Sequence, residues 1–349
     1  MLASGRRNQN TIWSLEDAKR RCYENEADLN DLGKGHFASI YKDDGGTCIF
    51  QQLKVVLLYP RMIPIEIISN LTCLVTLEGI ELSFKSFKKD WSLGPDGWPV
   101  EFYLHFFNLL GFELLSAVDS TRVSRFIPPS LNTTFLALIP KLDKPRTFVD
   151  YRPISLCNLL YKLIAKVIAV KIKPFLDSSI SQEQFGFLKN RQISEPIGIV
   201  QDIFHSVKTK NLCAFILKLD LIKDFDRVNW TFICLILIQI GVPLLTINWI
   251  MGCITYANFV VLINGTPSNF FIASHGIRQG CPLSPFLFIL VIEGLILLIS
   301  NARNNGRIRG IHISSSLTLT HLLFVDDVIL MGIGTLQEWP AFDVILETL

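Results

Sequence analysis

A chain of 349 residues, half of them hydrophobic, has room for two or three domains around a substantial core. Its net charge of +2 does not announce a polyanionic partner, and its eight cysteines show no CxxC pair and no zinc spacing. Several of those cysteines lie in apolar runs and read as buried, reduced thiols, while MLASGRRNQN at the start lacks the apolar segment of a secretory leader. An intracellular protein, nuclear or cytoplasmic, is expected.

Residues 1–90 are the least informative part. Charged, helix-favouring residues run to about Asp31, Asp43 to Gly46 marks a turn, and Ile65 to Phe84 reads as one or two helices. Gly94-Pro95-Asp96-Gly97 is a turn by composition, and Pro99 to Leu115 follows as a helix. Thr133 to Pro140 is an apolar strand leading to Lys141, with Phe148 to Ile154 as a candidate return strand. Leu156 to Leu176 has helical apolar spacing, with Lys162, Lys166, Lys171 and Lys173 spread around a polar face. Between Leu136 and Gln192 ten bases face four acids, a local surplus of +6. Such a surplus is either a solvated helix face or the footprint of a phosphate backbone. Ile193 to Lys208 reads as a further helix.

Phe215 to Trp230, FILKLDLIKDFDRVNW, begins as a buried apolar strand and ends on Asp220. Asp226 can cap a helix starting near Val228. Phe232 to Ile254 is interrupted by Gly241, Pro243 and Asn248, and Pro285 to Ser300 is only about fifteen residues with Glu293 inside. Both fall short of the roughly 20 apolar residues of a membrane span, so core helices are expected. Val260 to Ile272 reads as a hairpin around Asn264-Gly265, and Ser284 can cap the helix after the Gly276–Pro285 loop. His321 to Gly332, HLLFVDDVILMG, is a hairpin with Asp326 and Asp327 at its tip. Aspartate tolerates the positive φ of tight turns, so the pair could serve the turn alone. Adjacent carboxylates repel, however, by ~1 kcal/mol in water and ~4 kcal/mol at an effective dielectric of 20. A cation offsets that repulsion, and hard oxygen ligands without nearby Cys or His select Mg²⁺. One strand-end acid plus an acid pair on a hairpin is the layout of a two-metal phosphoryl-transfer site.

Five blocks in order, SLGPDGWPVEFY, LIPKLDKPRTFVDYRPISLCNLLYKLIAKVIAVKIKP, KLDLIKDFDRVNW, HGIRQGCPLSP and LLFVDDVIL, resemble reverse transcriptases of LINE-type (non-LTR) retrotransposons, particularly those of plants. The resemblance covers roughly Trp91 to Trp339. It implies an α+β, right-hand polymerase: an N-terminal helical extension at 1–90, fingers at 91–210 and an incomplete palm at 211–349. The order strand, helix, hairpin, helix, hairpin suits a ferredoxin-like palm sheet. It also implies a chain that starts after the family's endonuclease and stops before its thumb.

By the same resemblance, Asp220 and Asp326 bridge two Mg²⁺ (or Mn²⁺) ions, the Leu221 carbonyl completes the nucleotide-side metal, and Asp327 is a weaker ligand. Lys141 holds the triphosphate of the dNTP. Arg146 is a second contact that many relatives lack, and Arg152 either joins them or bonds backbone at the palm–fingers junction. Phe225 lies under the incoming sugar or packs in the core. Gln279 and Gly280 meet the nucleotide and template base, with Arg278 nearby, while Lys189 and Arg191 meet template phosphates, and Phe185 and Phe187 stack on bases or pack. RNA template and DNA primer are the implied partners, and no membrane is. Two departures stand out: Asp224 replaces a small residue and Ile222 a small polar one. Two readings follow, an RNA-directed DNA polymerase or an inactive nucleic-acid-binding remnant.

Overall fold

The computed structural model describes residues 11–43, 45–46, 48–89, 92–221, 223–313, 317–333 and 338–348. Ile222, the Asp90–Trp91 boundary and the MLASGRRNQN start lie outside the described residues. In chain order the strands are β1 (Leu15–Glu16), β2 (Cys22–Tyr23), β3 (Thr133–Pro140), β4 (Tyr151–Cys157), β5 (Ala214–Asp220), β6 (Asn258–Ile263), β7 (Thr266–Pro267), β8 (Phe271–Ile272), β9 (Ile311–His312), β10 (Thr318–Leu319), β11 (His321–Phe324) and β12 (Asp327–Ile333). Helices pack around and between two principal sheets.

The first sheet is antiparallel with the order β11-β12-β5. Its centre is covered on both faces. Val328 and Leu330 enter the main core, while Met331 and Leu322 enter a smaller cluster with Ile203 of the Ser194–Thr209 helix. Double coverage explains why VILM is an unbroken apolar run rather than an alternating one. β5 departs from the buried strand expected. It lies at the sheet's edge, only half-buried, and carries exposed Lys218 and Asp220, charges that discourage further strand pairing.

The second sheet has the order β4-β3-β6-β7, with β8 also on β6. β3 and β6 pair in parallel, Thr133 opposite Asn258 through Ala137 opposite Leu262. The 258–272 hairpin therefore joins β3 and β4, and the ferredoxin-like sheet expected for the palm is replaced by three strands in one sheet and the hairpin in another. The β6–β7 turn itself is as expected: Asn264 and Gly265 both take positive φ, 53° and 89°, as the tightest hairpin turn requires. The N-terminal region covers this second sheet. Its Glu26–Ile40 helix packs so closely that a Cβ at Gly33 would run into Ile263 and Phe148.

Several local expectations change. The helix expected over Pro99–Leu115 is two, Val100–His105 and Phe107–Ser124, broken at Phe106. The lysine-bearing helix is Leu159–Ser179 and central, with Lys162 buried. Lys171 Nζ donates to the carbonyls of Asn70 and Cys73 at the end of the Ile65–Thr72 helix (3.0 and 2.9 Å), where a cation complements the helix dipole. Asn229 rather than Asp226 caps the Trp230–Gln239 helix, its side chain accepting from Phe232 N at 3.1 Å. Ser284 makes no cap, because the helix already begins at that residue, with Pro285 in its first turn. That helix, Ser284–Asn304, is 21 residues with mean hydropathy 2.2, longer than expected and long and apolar enough to cross a membrane; 61 % of its apolar window is buried within the fold. Of the cysteines, Cys157, Cys253 and Cys281 are buried thiols, while Cys22, Cys48, Cys73 and Cys213 are exposed.

Candidate active site

Asp220 ends β5 and lies opposite Asp327, the first residue of β12. The pairing of Phe324 with Asp327 closes the β11–β12 hairpin on a two-residue loop, Val325-Asp326. Val325, not an aspartate, supplies the positive φ, +59°. A β-branched residue in that region is an outlier that its surroundings must impose.

This geometry separates the two hairpin acids. Asp220 and Asp326 line one cleft of about 290 Å³ together with Lys141, Arg152, Leu221, Lys223, Asp224, Phe225, Asp226 and Gln279. Asp327 instead forms an ion pair with Lys218 at 2.8 Å, both partners largely in solvent. The cleft has an acidic wall from β5, its following turn and the hairpin loop. The opposite wall is basic, with Lys141 and Arg152 from the β3–β4 sheet.

Asp224 is the most perturbed acid of the cleft. Burial, followed by the nearby Asp326 and Asp226 charges, lifts its carboxyl to about 6, and its Oδ2 is buried without a hydrogen-bond partner. Asp226 is also pushed up by burial and accepts from the Tyr41 hydroxyl at 2.5 Å. The acidic wall is thus tied to the N-terminal region. His36, Phe37 and Ile40 of the Glu26–Ile40 helix complete the cleft, and burial together with Lys223 and Lys141 depresses His36 to about 4.

The other predicted residues divide. The Phe225 ring lines the cleft and stacks on Phe288, centroids 4.6 Å apart, so packing and cleft lining are one arrangement. Gln279 lines the cleft, its carbonyl accepting from Ser155 N at 3.0 Å, and Gly280 beside it takes φ +101°. Lys141 Nζ donates to the Val149 carbonyl at 3.1 Å. Arg146 is exposed and outside the cleft lining. Arg278 is not at the cleft: it is buried, its guanidinium over the Tyr161 ring and bonded to Cys253 O and to Asn132 O and Oδ1. Lys189 is exposed, whereas Arg191 turns inward to the carbonyls of Ile180, Ser181 and Gln184. Phe185 is buried and Phe187 exposed.

His36, Phe37, Ile40 and Lys223 are cleft residues that escaped the sequence reading. Lys223 sits in the cleft at φ +56°, at the head of the acidic run KDFD. Outside the cleft, Asp96 of the Gly94–Gly97 turn accepts from Leu159 N at 3.3 Å and helps seat the start of the Leu159–Ser179 helix.

The donors fit a hard dication in chemistry. Mg²⁺ commonly takes one or two protein carboxylates and fills its octahedron with water and phosphate oxygens, and Asp220 and Asp326 offer such a pair beside the unpartnered Asp224 oxygen. Among the described residues no group of three His, Cys, Asp or Glu side chains is drawn together into a ready cage.

A mixed α/β fold that brings Asp220 and Asp326 into one cleft with Lys141 and Arg152 is the arrangement expected of the palm and fingers of a nucleic-acid polymerase. The sequence profile described as reverse transcriptase (RNA-dependent DNA polymerase) matches residues 139–348, and the chain belongs to that family. It is 27 % identical over 74 % of its length to an uncharacterised 149 kDa protein of transposon TX1 from Xenopus laevis, covering 19 % of that protein. It is 31 % identical over 49 % of its length to the Pol polyprotein of the type-2 retrotransposable element R2DM from Drosophila melanogaster, covering 16 % of it. An uncharacterised mitochondrial protein of Arabidopsis thaliana is 44 % identical over 26 % of the chain and 75 % of its own length. The chain thus spans under a fifth of the two transposable-element proteins.

Proposed function

We propose that this chain is the RNA-directed DNA polymerase part of a LINE-type (non-LTR) retrotransposon protein, with fingers at 91–210, palm at 211–349 and residues 1–90 as a helical extension. It extends a DNA primer on an RNA template from dNTPs, in the nucleus or cytoplasm. The observation that carries this reading is the convergence of Asp220 and Asp326 on one cleft, opposite Lys141 and Arg152. Asp220, Asp326 and the Leu221 carbonyl would hold Mg²⁺ or Mn²⁺. When bound, such ions acidify the primer 3′-hydroxyl and neutralise the departing pyrophosphate. Asp327 joins them only on leaving Lys218.

Lys141 and Arg152, with Lys223, face the triphosphate as fixed positive charges. The stacked Phe225 ring offers a rigid floor to the sugar, selecting against a 2′-hydroxyl. Gln279, held through its carbonyl, and Gly280, without a side chain, leave room for the base pair. Exposed Phe187 and Lys189 lie where template passes; Arg191 and Arg278 shape the loops that carry them rather than touching substrate.

Primer extension on an RNA template with Mg²⁺ and dNTPs tests this. Activity in the wild type that Asp326→Asn abolishes supports it. The second reading, an inactive nucleic-acid-binding remnant, draws on the additional carboxylate of Asp224 in the cleft. It wins if wild type and Asp326→Asn are equally silent while RNA still binds with a salt-dependent affinity.

A further inference from the structure

The Val325-Asp326 loop presents a physical problem. Its first residue takes the left-handed conformation that a two-residue hairpin normally assigns to glycine, yet a buried valine occupies it. Such a conformation persists only where neighbouring structure imposes it. The neighbour is the segment around Gln184. Phe185 N donates to Leu323 O at 2.9 Å and Leu323 N to Glu183 O at 2.8 Å, a single parallel bridge that fixes Gln184 beside β11. From it the Gln184 side chain, fully buried, reaches the turn: its Oε1 accepts from Val325 N at 3.0 Å and from Gly186 N at 2.8 Å. Gly186 leaves no room for a Cβ, which would run into Val325 Cγ2.

We infer that Gln184 is a positioning residue, which locks Val325 in its left-handed conformation and thereby aims Asp326 into the cleft. This inference rests on the polymerase reading for what Asp326 does there. One further observation separates it from ordinary core packing. Gln184 Nε2 is buried without a hydrogen-bond partner. An apolar side chain of equal length would avoid that unsatisfied donor, so the amide is kept for its oxygen. The segment is itself anchored from behind. Arg191 binds the carbonyls of Ile180, Ser181 and Gln184, and Glu293 accepts from the Ser181 hydroxyl and backbone N–H. The loop expected to grip template thus supports the metal-binding turn on its inner side.

The test compares the full chain with Gln184→Met, which keeps length but cannot accept equivalently, and with Gln184→Met/Val325→Gly, where glycine adopts the turn unaided. Three readouts are taken: hydrogen exchange at the Val325 amide, Mn²⁺ affinity by electron paramagnetic resonance, and primer-extension kcat and KM. Displacing a reactive group by about 1 Å costs on the order of 10²-fold, so Gln184→Met should lower kcat ~10–100-fold, with KM for dNTP within ~2-fold. It should also speed Val325 exchange and weaken Mn²⁺ binding, each by ~10-fold, and the glycine double variant should recover Mn²⁺ affinity and kcat to within ~3-fold of wild type. Unchanged Val325 exchange overturns the inference, as does a loss that Val325→Gly does not restore, since that marks a role in folding alone. If the wild type extends no primer but Gln184→Met still loosens Val325 and weakens Mn²⁺, the polymerase reading fails and the positioning role stands. If primer extension is robust and Gln184→Met equals wild type in all three readouts, the reverse holds.

Discussion

The two sheets that face each other across the cleft are built by different means. The three-stranded sheet places its acids by register: Asp220 ends β5 opposite Asp327, and the hairpin loop carries Asp326. The five-stranded sheet places Lys141 and Arg152 on one β3–β4 hairpin, which β6 and the helix from residues 26–40 hold from behind. The acids meet only because β5 pairs with β12 across more than a hundred residues, whereas Lys141 and Arg152 belong to one local β3–β4 hairpin. Substitutions of the acids should damage chemistry and those of the bases substrate binding, while stability rests on the N-terminal cover that Tyr41 ties to Asp226.

The largest effect expected is on the acidic wall. Asp220→Asn and Asp326→Asn should each lower primer-extension kcat on the order of 10³-fold, whereas Asp327→Asn, whose carboxylate faces Lys218, should cost about 10-fold. Equal losses for all three, measured by single-turnover extension, would erase the distinction between the two hairpin acids.

Next comes the anchor behind that wall. Burial, partly opposed by the Ser181 bonds, lifts Glu293 from 4.5 to about 7. A raised folded-state value means its contribution is fully present below about pH 4.5 and lost as pH rises through about 7. Wild-type stability should fall across that window, and Glu293→Gln should remove the slope, a difference of up to about 3 kcal/mol at neutral pH and above. Denaturant melts between pH 4.5 and 8 check it; parallel pH profiles for the two proteins would contradict it.

Smaller effects sharpen the basic side and its N-terminal cover. Tyr41→Phe removes the hydroxyl that donates to Asp226 and should destabilise the chain by about 1–3 kcal/mol, although residue 41 precedes every polymerase motif. Lys141→Ala and Arg152→Ala should each raise KM for dNTP about 10-fold, with kcat nearly unchanged. A drop in kcat without a change in KM would move those side chains from binding to chemistry.

How far the sequence could be read depends on whether a feature is local, and that cuts across both walls. β3, β5 and the β11–β12 hairpin were legible because apolar runs bounded by turn residues report strands directly. The 258–272 hairpin was legible as a hairpin but not as a neighbour of β3, since parallel pairing across more than a hundred residues leaves no local pattern. Arg278 was expected beside the nucleotide and Arg191 on a template phosphate because the sequence shows a guanidinium without the carbonyls it satisfies. The contribution of residues 26–41 was hidden for the same reason: His36, Phe37 and Tyr41 matter through contacts with residues far along the chain. The left-handed Val325 was concealed by its neighbours, two aspartates that tolerate that conformation better than valine does.

The central claim is that Asp220 and Asp326, separated from Asp327 by the hairpin turn, share a divalent cation in the cleft below Lys141 and Arg152. Anomalous scattering from crystals grown with Mn²⁺ and a non-hydrolysable dNTP analogue tests it most directly. The account predicts a Mn²⁺ peak between the Asp220 and Asp326 carboxylates, with the triphosphate extending toward Lys141. Mn²⁺ bound elsewhere with those two carboxylates unoccupied would contradict it.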